Sequence, residues 1–411
     1  MTRAKGYAGG PVARYILLGS VAFLVLGGLL MIYSAASVSD YVYQQDSAYH
    51  LKQQIMWIGI GAVLMYLTSR FDYRRLRALA WPIWGVSVAA LLGVLLFGVT
   101  RNGAQRWLMI AGKSIQPSEY AKVACVLVAA HLLAKHPMRT RDPKGFWLRL
   151  LGSVGVVALL VYLQPDFGTT VSIVAAWGVV LILGGVNWTH LFAAGGVAGT
   201  MAITAALLAD YRIARVTAFL DPWSDPQGST YQIVQSMLAF GSGGLTGVGL
   251  GMSRQKFFYL PAAHTDFIFA IIGEEFGLVG TLLTVAAFIL FTYAGFRIAL
   301  NTKDPFGRLV AGGVTAMIAI QAIMNMAAVT SLMPVTGIPL PLVSFGGSSM
   351  TFTMACIGVI LSVSTYGAKG ASRAVGGDKE RVGAGTAERG RNSRAHLSGI
   401  DGGRKASRRR A

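Results

Sequence analysis

Long apolar runs separated by short polar stretches dominate this sequence. About ten runs can be distinguished, and each is close to the ~20 residues that an α-helix needs to cross a bilayer. Their approximate limits are 14–37, 53–69, 79–99, 118–134, 148–164, 169–187, 190–209, 267–298, 308–332 and 349–365. The pattern predicts an all-α polytopic integral membrane protein with about ten transmembrane helices.

Composition agrees with this interpretation. Of the 411 residues, 54% are hydrophobic and 13% are charged, and the mean hydropathy is +0.55. An ordinary soluble domain is about 25% charged, so the chain is far too apolar for that class. The first run is longer than the apolar core of a signal peptide, and we expect it to be retained as a helix.

The net charge of +19 reflects the membrane topology of the chain and does not indicate a nucleic-acid partner. Lys and Arg residues precede the first run and follow the second, fourth and eighth, so they fall on one face, which is the cytoplasmic face by the positive-inside rule. Ten spans place both termini on that face. We therefore expect residues 1–13 to be a cytoplasmic N-terminus, 14–366 a membrane domain, and 367–411 a basic, disordered cytoplasmic tail.

The opposite face carries three longer loops, at about 38–52, 100–117 and 210–266. The last lies between the seventh and eighth helices and is rich in Gly, Pro and aromatic residues. Loops of this length are usually functional or partly structured. We expect it to be a large extracytoplasmic loop close to any active site.

Polar residues at the second loop and the following helix have two interpretations. Pro117 and Ser118 indicate a helix start, with Ser118 as a possible N-cap. Glu119 and Lys122 are three residues apart and can pair on one helix face. The pair is either structural or part of a functional cleft. The upstream residues that would line such a cleft are Arg106, Trp107 and Lys113.

Two further groups lie near the same face. Asp166, in "QPDFGTT", either caps the next helix or has a functional role. Arg212 and Arg215 are three residues apart in the large loop and suit a phosphate-bearing ligand. A solvated helix surface is the alternative for these two arginines.

The stretch 333–349, "MPVTGIPLPLVSFGGSS", contains three prolines, a Gly pair and no charged residue. Irregular backbone at membrane depth is tolerated only when it is buried in protein or lines a cavity. The composition is typical of a re-entrant segment, and a plain outer loop is the alternative.

The stretch 260–280, "LPAAHTDFIFAIIGEEFGLVG", carries three carboxylates at and inside an apolar helix. A continuous helix would place Glu274 roughly 12 Å deeper than Asp266 and about 80° round the axis, with Glu275 pointing elsewhere. We expect the deeper pair to bond to other helices and Asp266 to contact a substrate at the aqueous edge. An N-cap role for Asp266 is the structural alternative.

Taken together, these stretches closely resemble the signatures of the SEDS (shape, elongation, division, sporulation) proteins, the FtsW/RodA family. The matching stretches are "GAQRW…QPSEYAK", "QPDFGT", "YQIVQS…FGSGG", "LPAAHTDFIFAIIGEE" and "GIPLPLVSFGGSS". They occur in the family's order across roughly residues 15–365. The motifs "DPWSDP", "KFFYLP" and "FAIIGEE" favour the division-type FtsW branch, while others resemble the elongation-type RodA branch, and a sporulation-type homologue is a third possibility.

The resemblance implies an inverting glycosyltransferase that polymerises lipid II into peptidoglycan strands for septal wall synthesis. It implies that Asp266 is catalytic and that Trp107, Glu119, Lys122 and Asp166 match residues important in the family. The implied partners are lipid II, a class B penicillin-binding transpeptidase and other divisome proteins, without nucleic acid. The implied location is the bacterial plasma membrane, with the active site outside.

The chemistry of that reaction suggests roles for other residues. Arg106, Trp107, Lys113, Arg212, Arg215 and His264 are candidates for substrate binding, and Glu274 for support of the fold. No metal ligands are predicted, although a divalent cation, Mg or Mn, could assist the diphosphate. Three alternatives remain open at this level: a lipid II flippase, a RodA-type elongation polymerase, and a noncatalytic division scaffold.

Overall fold

A computed structural model describes residues 8–101, 104–110, 113–135, 143–207 and 217–367. Each of the ten predicted apolar runs coincides with a long helix. These helices are α1 (Gly10–Gln44), α2 (Tyr49–Arg70), α3 (Leu76–Phe97), α4 (Pro117–Lys135), α5 (Pro143–Leu163), α6 (Phe167–Leu183), α7 (Trp188–Leu207), α9 (Ile268–Leu300), α10 (Pro305–Val329) and α11 (Gly347–Gly367). A shorter helix, α8 (Tyr231–Gly243), lies between α7 and α9.

The helical architecture confirms the predicted fold class. Within the described residues, six helices are long and apolar enough to cross a membrane by length and composition. They are α1, α3, α5, α9, α10 and α11. A count of ten spans stays a prediction, as does the division into an N-terminus, a membrane domain and a tail. The tail from residue 368 onward lies outside the described residues.

The predicted first loop is much shorter in the structure. Helix α1 continues to Gln44 and α2 already begins at Tyr49, so the prediction of a loop at 38–52 was wrong. The carboxylate of Asp40, which is 1% exposed, accepts a hydrogen bond of 2.9 Å from the backbone N–H of His50. This contact joins the end of α1 to the start of α2 and stabilises the extra helical turns.

The second loop contains a small antiparallel sheet that the apolar pattern did not predict. Its strands are β1 (Val99–Arg101), β2 (Ala104–Ile110) and β3 (Lys113–Ile115), in the order β1-β2-β3. Trp107 pairs with Val99, and Leu108 pairs with Ile115. Two of the strands have only three residues, which is too short for an alternating pattern to be recognised in the sequence.

Helix α9 is interrupted at Gly277, whose φ of 63° and ψ of −155° are non-helical. The chain just after α8 enters this break. The N–H groups of Val248 and Gly249 donate to the carbonyls of Glu274 and Glu275, at 2.9 and 3.1 Å. The N–H of Leu278 in turn donates to Gly244. A backbone conformation of this kind is essentially restricted to glycine, so the sequence places glycine where the loop inserts.

Helix α10 lies at the centre of the bundle and packs against α4, α6 and α9. The chain that follows it, 331–346, is irregular but largely buried, with Leu340, Leu342 and Val343 at most 2% exposed. A Cβ at Gly28, in the middle of α1, would lie only 2.7 Å from the carbonyl oxygen of Val343. The segment therefore reaches well into the bundle, as expected for a re-entrant segment.

Candidate active site

Asp266 lies in a turn that precedes α9. The helix begins at Ile268, and its N-cap residue is Phe267, which makes no side-chain capping bond. The N-cap alternative for Asp266 was therefore wrong. The extrapolated offset between Asp266 and Glu274 was wrong as well, because the helix does not extend back to Asp266. The side chain is partly exposed, as contact with a substrate requires.

The backbone around Asp266 is fixed by side chains from distant parts of the chain. The side-chain amide of Asn325, in α10, donates to the carbonyls of Asp266 (2.7 Å) and Ile338 (2.8 Å). The Ser344 hydroxyl donates to the carbonyl of Thr265 at 2.6 Å. Both donors are nearly fully buried, and an unmade bond at such a place is costly. These bonds therefore fix the position of the turn that carries Asp266 relative to α10 and to the segment at 338–344.

Gly337 lies directly beside the Asp266 carboxylate. Its φ is +69°, and a Cβ there would be 3.7 Å from Asp266 Oδ2. The residues on either side of it contact α6, since a Cβ at Gly168 would be 2.9 Å from atoms of Thr336 and Ile338. The segment 336–340 thus joins the Asp266 turn to the surrounding helices.

One polar cluster adjoins this segment from α6. Arg106 Nη1 lies 3.6 Å from Asp166 Oδ1, and the guanidinium also donates to the carbonyls of Gln164 and Pro165. Asp166 Oδ1 accepts the N–H of Thr169 at 3.2 Å, which confirms its predicted capping of α6. Arg106 therefore holds the turn before α6. Its predicted contact with substrate stays a prediction.

A second cluster approaches from α4. Lys122 Nζ lies 2.7 Å from both Glu119 Oε1 and Gln321 Oε1, and Glu119 Oε2 accepts a bond from Ser349 at 3.2 Å. The predicted pairing of Glu119 with Lys122 is confirmed, and both residues are at most 4% exposed. The N-cap role for Ser118 was wrong because α4 begins at Pro117 and includes Ser118 in its first turn.

Glu274 and Glu275 are both 1% exposed, yet they bind mainly a loop rather than other helices. Glu274 accepts bonds from the hydroxyl of Ser253 and from the N–H of Arg254, the latter at 3.0 Å. Glu275 accepts a bond of 2.5 Å from Ser34 of α1 and lies 3.7 Å from Lys256 Nζ. The expectation of bonds to other helices holds for both residues, since Glu274 Oε1 also accepts a bond of 3.5 Å from the hydroxyl of Ser242 in α8. These contacts fix the loop that enters the break in α9, which fits the supporting role expected for Glu274.

His264, two residues before Asp266, lies in an aromatic cluster. Its ring centroid is 4.7 Å from that of His50 and 6.0 Å from that of Phe345, and its carbonyl accepts the N–H of Phe345. Burial, together with the nearby charge of His50, lowers the pKa of His264 to about 4, and the opposing effect of Asp40 is smaller. Sequence reasoning proposed His264 and missed Asp40 and His50, which no motif marked.

Four other predicted binding residues are not placed at the site by the structure. Arg212 and Arg215 lie outside the described residues, and Lys113 is described only as the start of β3. Trp107 lies in the middle of β2 and is partly buried. Among the residues described, there is no group of three or more His, Cys, Asp or Glu side chains that could hold a metal ion.

Asn325 and Gln321 were also missed, although a signal existed. Both are amides inside a long apolar run, and polar residues at membrane depth are usually functional or paired. They lie four residues apart on α10, and Gln321 Nε2 donates to the carbonyl of Pro339 at 3.3 Å. Both therefore bind the segment beside Asp266.

Comparison with known proteins places this arrangement in a family. The family model FtsW/RodA/SpoVE, described as "Cell cycle protein", matches residues 14–369. The chain belongs to this family. The chain is 41% identical over 357 residues to "Stage V sporulation protein E" of Bacillus subtilis, covering 85% of this chain and 97% of that one. It is 37% identical over 351 residues to "Probable peptidoglycan glycosyltransferase FtsW" of Trichlorobacter lovleyi, covering 85% and 92%.

Solved structures agree with these relatives. A chain from "Structural coordination of polymerization and crosslinking by a peptidoglycan synthase complex" has a TM-score of 0.71 at 28% identity, covering 86% of this chain and 98% of that one. The rod shape determining protein RodA of Thermus thermophilus has a TM-score of 0.63 at 29% identity, covering 85% and 95%. The predicted family is confirmed. Relatives named FtsW and a relative named as a sporulation protein both occur, at similar sequence identity to this chain.

Proposed function

We propose that this chain is a peptidoglycan glycosyltransferase that polymerises lipid II into glycan strands, with Asp266 as its catalytic base. The observation that carries the proposal is a single, partly exposed carboxylate on a turn held by buried side chains from α10 and from the re-entrant segment. A general base must be both accessible and accurately positioned. The relatives named as glycosyltransferases support the reaction class.

The reaction joins the C4 hydroxyl of one lipid II sugar to C1 of a second saccharide that carries undecaprenyl diphosphate. Asp266 accepts the proton of the hydroxyl as its oxygen attacks C1, and the bond from C1 to the diphosphate breaks. The α-linked donor yields a β-linkage, so one displacement with inversion is sufficient and no covalent sugar–enzyme intermediate is needed.

The departing diphosphate accumulates negative charge that cations must stabilise. Lys113, Arg212 and Arg215 are the proposed cations, with Trp107 and His264 as further contacts to the substrate. A divalent cation would supply the same stabilisation. Arg106 is a weaker candidate than the sequence suggested, because its guanidinium already binds Asp166 and two carbonyl oxygens.

The proposed partner is a class B penicillin-binding transpeptidase, which would crosslink the strands made here. One similar chain comes from a peptidoglycan synthase complex that coordinates polymerization and crosslinking, and this similarity supports the pairing. We place the protein in the bacterial plasma membrane, with both termini in the cytoplasm and Asp266 on the outer face. The Lys and Arg asymmetry of the loops supports this orientation. A septal role, among other divisome proteins, is proposed over elongation on the motifs of the division branch.

Lipid II transport is the second candidate function, because buried carboxylates and a broken re-entrant segment also occur in transporters. Two assays on the purified protein, with its partner transpeptidase and lipid II, separate the two functions. The polymerase account predicts glycan strands from the wild type and none from Asp266→Asn, with lipid II movement across vesicles unaffected. Loss of movement with polymerisation intact would instead establish the transporter. If the partner polymerised lipid II normally without this chain, this chain would be a noncatalytic scaffold.

A further inference from the structure

The buried ion pair of α4 contacts the chain around the re-entrant segment in two directions. Lys122 Nζ lies 2.7 Å from Glu119 Oε1 and also 2.7 Å from the side-chain oxygen of Gln321 in α10. The other oxygen of Glu119 accepts a bond of 3.2 Å from Ser349, at the start of α11. Burying a charged pair costs desolvation energy that its own attraction often fails to recover. Stability alone is therefore a weak reason for its presence.

The charge of Lys122 determines which way the Gln321 amide faces. An ammonium group donates hydrogen bonds and cannot accept them, so it selects the oxygen of the amide. The amide nitrogen is thereby directed at the carbonyl of Pro339, to which it donates at 3.3 Å. Lys122 and Gln321 are at most 3% exposed. A buried line of contacts thus connects the ion pair to the middle of the re-entrant segment.

The segment depends on side-chain donors at this point. Pro339 and Pro341 have no backbone N–H, and irregular backbone at membrane depth needs partners from the surrounding protein. Asn325 donates to the carbonyl of Ile338 at 2.8 Å. Gln321, one turn earlier on the same helix, donates to the next carbonyl along the chain. Two consecutive carbonyls of the segment are therefore held by α10.

The same part of the segment lies against Asp266. A Cβ at Gly337 would be 3.7 Å from Asp266 Oδ2, and Gly337 is two residues from Pro339. Asn325 also donates to the carbonyl of Asp266 itself. A shift of the chain at Pro339 would therefore move the surface that the carboxylate faces.

We propose that Gln321 is a positioning residue for Asp266 and that the pair of Glu119 and Lys122 acts through it, with Ser349 as a second point of attachment. This inference rests on the proposed catalytic role of Asp266. The ion pair orients the amide, the amide holds Pro339, and the segment keeps its place beside the carboxylate. Catalytic rates fall steeply when reacting groups are displaced by about 1 Å. The pair acts in this way without touching the substrate.

Gln321→Met tests the proposal, because it keeps a side chain of similar length and removes both hydrogen bonds of the amide. We expect kcat for polymerisation to fall about tenfold through displacement of the segment. KM for lipid II should not change. Thr315→Val is the matched control, since Thr315 is fully buried on the same helix and its hydroxyl donates to Ala311 within that helix. Its kcat should stay at the wild-type value.

Both substitutions are repeated in Asp266→Glu, whose carboxylate is already displaced by a methylene. If Gln321 acted independently of Asp266, the two losses would multiply to about 1,000-fold in the double variant. If Gln321 acts through Asp266, the double variant stays near the loss of about 100-fold expected for Asp266→Glu alone. A substitution that only lowers the amount of folded protein multiplies in both backgrounds. The comparison therefore separates positioning from stability.

Ser349→Ala is a second and milder variant, because it removes one bond to Glu119 and leaves the ion pair and Gln321 in place. Its kcat should fall about threefold, with no further fall in Asp266→Glu. If Gln321→Met does not yield folded protein, this comparison decides the proposal.

All variants are assayed as the full chain with its partner transpeptidase and lipid II, with thermal stability measured alongside. Full activity of Gln321→Met, or losses that multiply with Asp266→Glu, would overturn the positioning proposal. Polymerisation by Asp266→Asn in the same assay would instead overturn the proposed function, so the two failures are distinguishable.

Discussion

The side-chain amide of Asn325 donates a 2.7 Å hydrogen bond to the carbonyl of Asp266, 59 residues away in the chain. Its second hydrogen binds the carbonyl of Ile338, next to the glycine that lies against the Asp266 carboxylate. The two bonds fix the orientation of the Asn325 amide, because in the flipped orientation its oxygen would face both carbonyl oxygens. One buried side chain therefore sets the spacing between the base and the segment it faces.

Asn325→Leu should reduce polymerisation by about 100-fold, because positioning contributions fall steeply with displacements of about 1 Å. The measurement is glycan-strand synthesis with the partner present, together with thermal unfolding in detergent. The two lost hydrogen bonds should also cost about 1–3 kcal/mol of stability. Asn301→Leu is the control, because Asn301 is exposed and donates only within its own helix. Full activity of Asn325→Leu would show that the turn holds its shape without the amide.

Gly277→Ala should destabilise the protein by at least about 2 kcal/mol, since alanine is strained at this backbone conformation. An added Cβ would also lie 2.5 Å from the backbone N of Gly247. Thermal unfolding measures the loss. Gly241→Ala in α8 is the matched control, because a Cβ there meets nothing within 4 Å. Equal stability of the two variants would mean that the break in α9 tolerates a side chain.

Lys122→Met should cost about 3–5 kcal/mol, because it leaves Glu119 buried without its cation. The double variant Glu119→Gln/Lys122→Met removes the stranded charge and should recover much of the stability. Thermal unfolding and polymerisation are measured on both. If the double variant is stable but inactive, the pair has a role in function beyond packing. If the single variant is as stable as the wild type, the pair is not the structural element that its burial indicates.

A reporter fused after Ala371 should report cytoplasm, and one inserted near Gln227 should report the outer face. The reason is the distribution of Lys and Arg among the short loops. Activity of reporters that function on only one side of the membrane gives the measurement. The opposite location for either reporter would change the number of spans or the orientation.

The sequence predicted the helices well, because long apolar runs depend only on local composition. It could not predict the extension of α1 to Gln44, which depends on a contact between Asp40 and His50. It also missed the sheet at β1–β3, whose short strands give no clear alternation. The glycine at 277 was visible, but the loop that enters the helix there comes from residues 244–249, and only the structure joins them.

For the site, the family's motifs identified the segments of the chain that form it, but they did not identify which residues contact one another. Asp166 and the pairing of Glu119 with Lys122 were predictable because capping and i,i+3 pairing are local. Asn325 and Gln321 bind residues 13 to 199 positions away, and no local rule connects such residues. A polar amide in an apolar run shows that a partner exists without identifying it.

Asp266 provides the most direct test. Asp266→Asn keeps the size of the side chain but cannot accept the proton, and Asp266→Glu moves the carboxylate by about one methylene. Glu274→Gln is the comparison, since Glu274 is a buried carboxylate bound to the loop at 253–255. Glycan-strand synthesis from lipid II, by purified protein with its partner transpeptidase, is measured for each variant alongside thermal stability. We expect no strands from Asp266→Asn, at unchanged stability, and about 100-fold fewer strands from Asp266→Glu. In Glu274→Gln, strand synthesis should fall only as far as the thermal stability of the protein falls. Strand synthesis by Asp266→Asn, with loss in a fully stable Glu274→Gln protein, would contradict the catalytic role of Asp266.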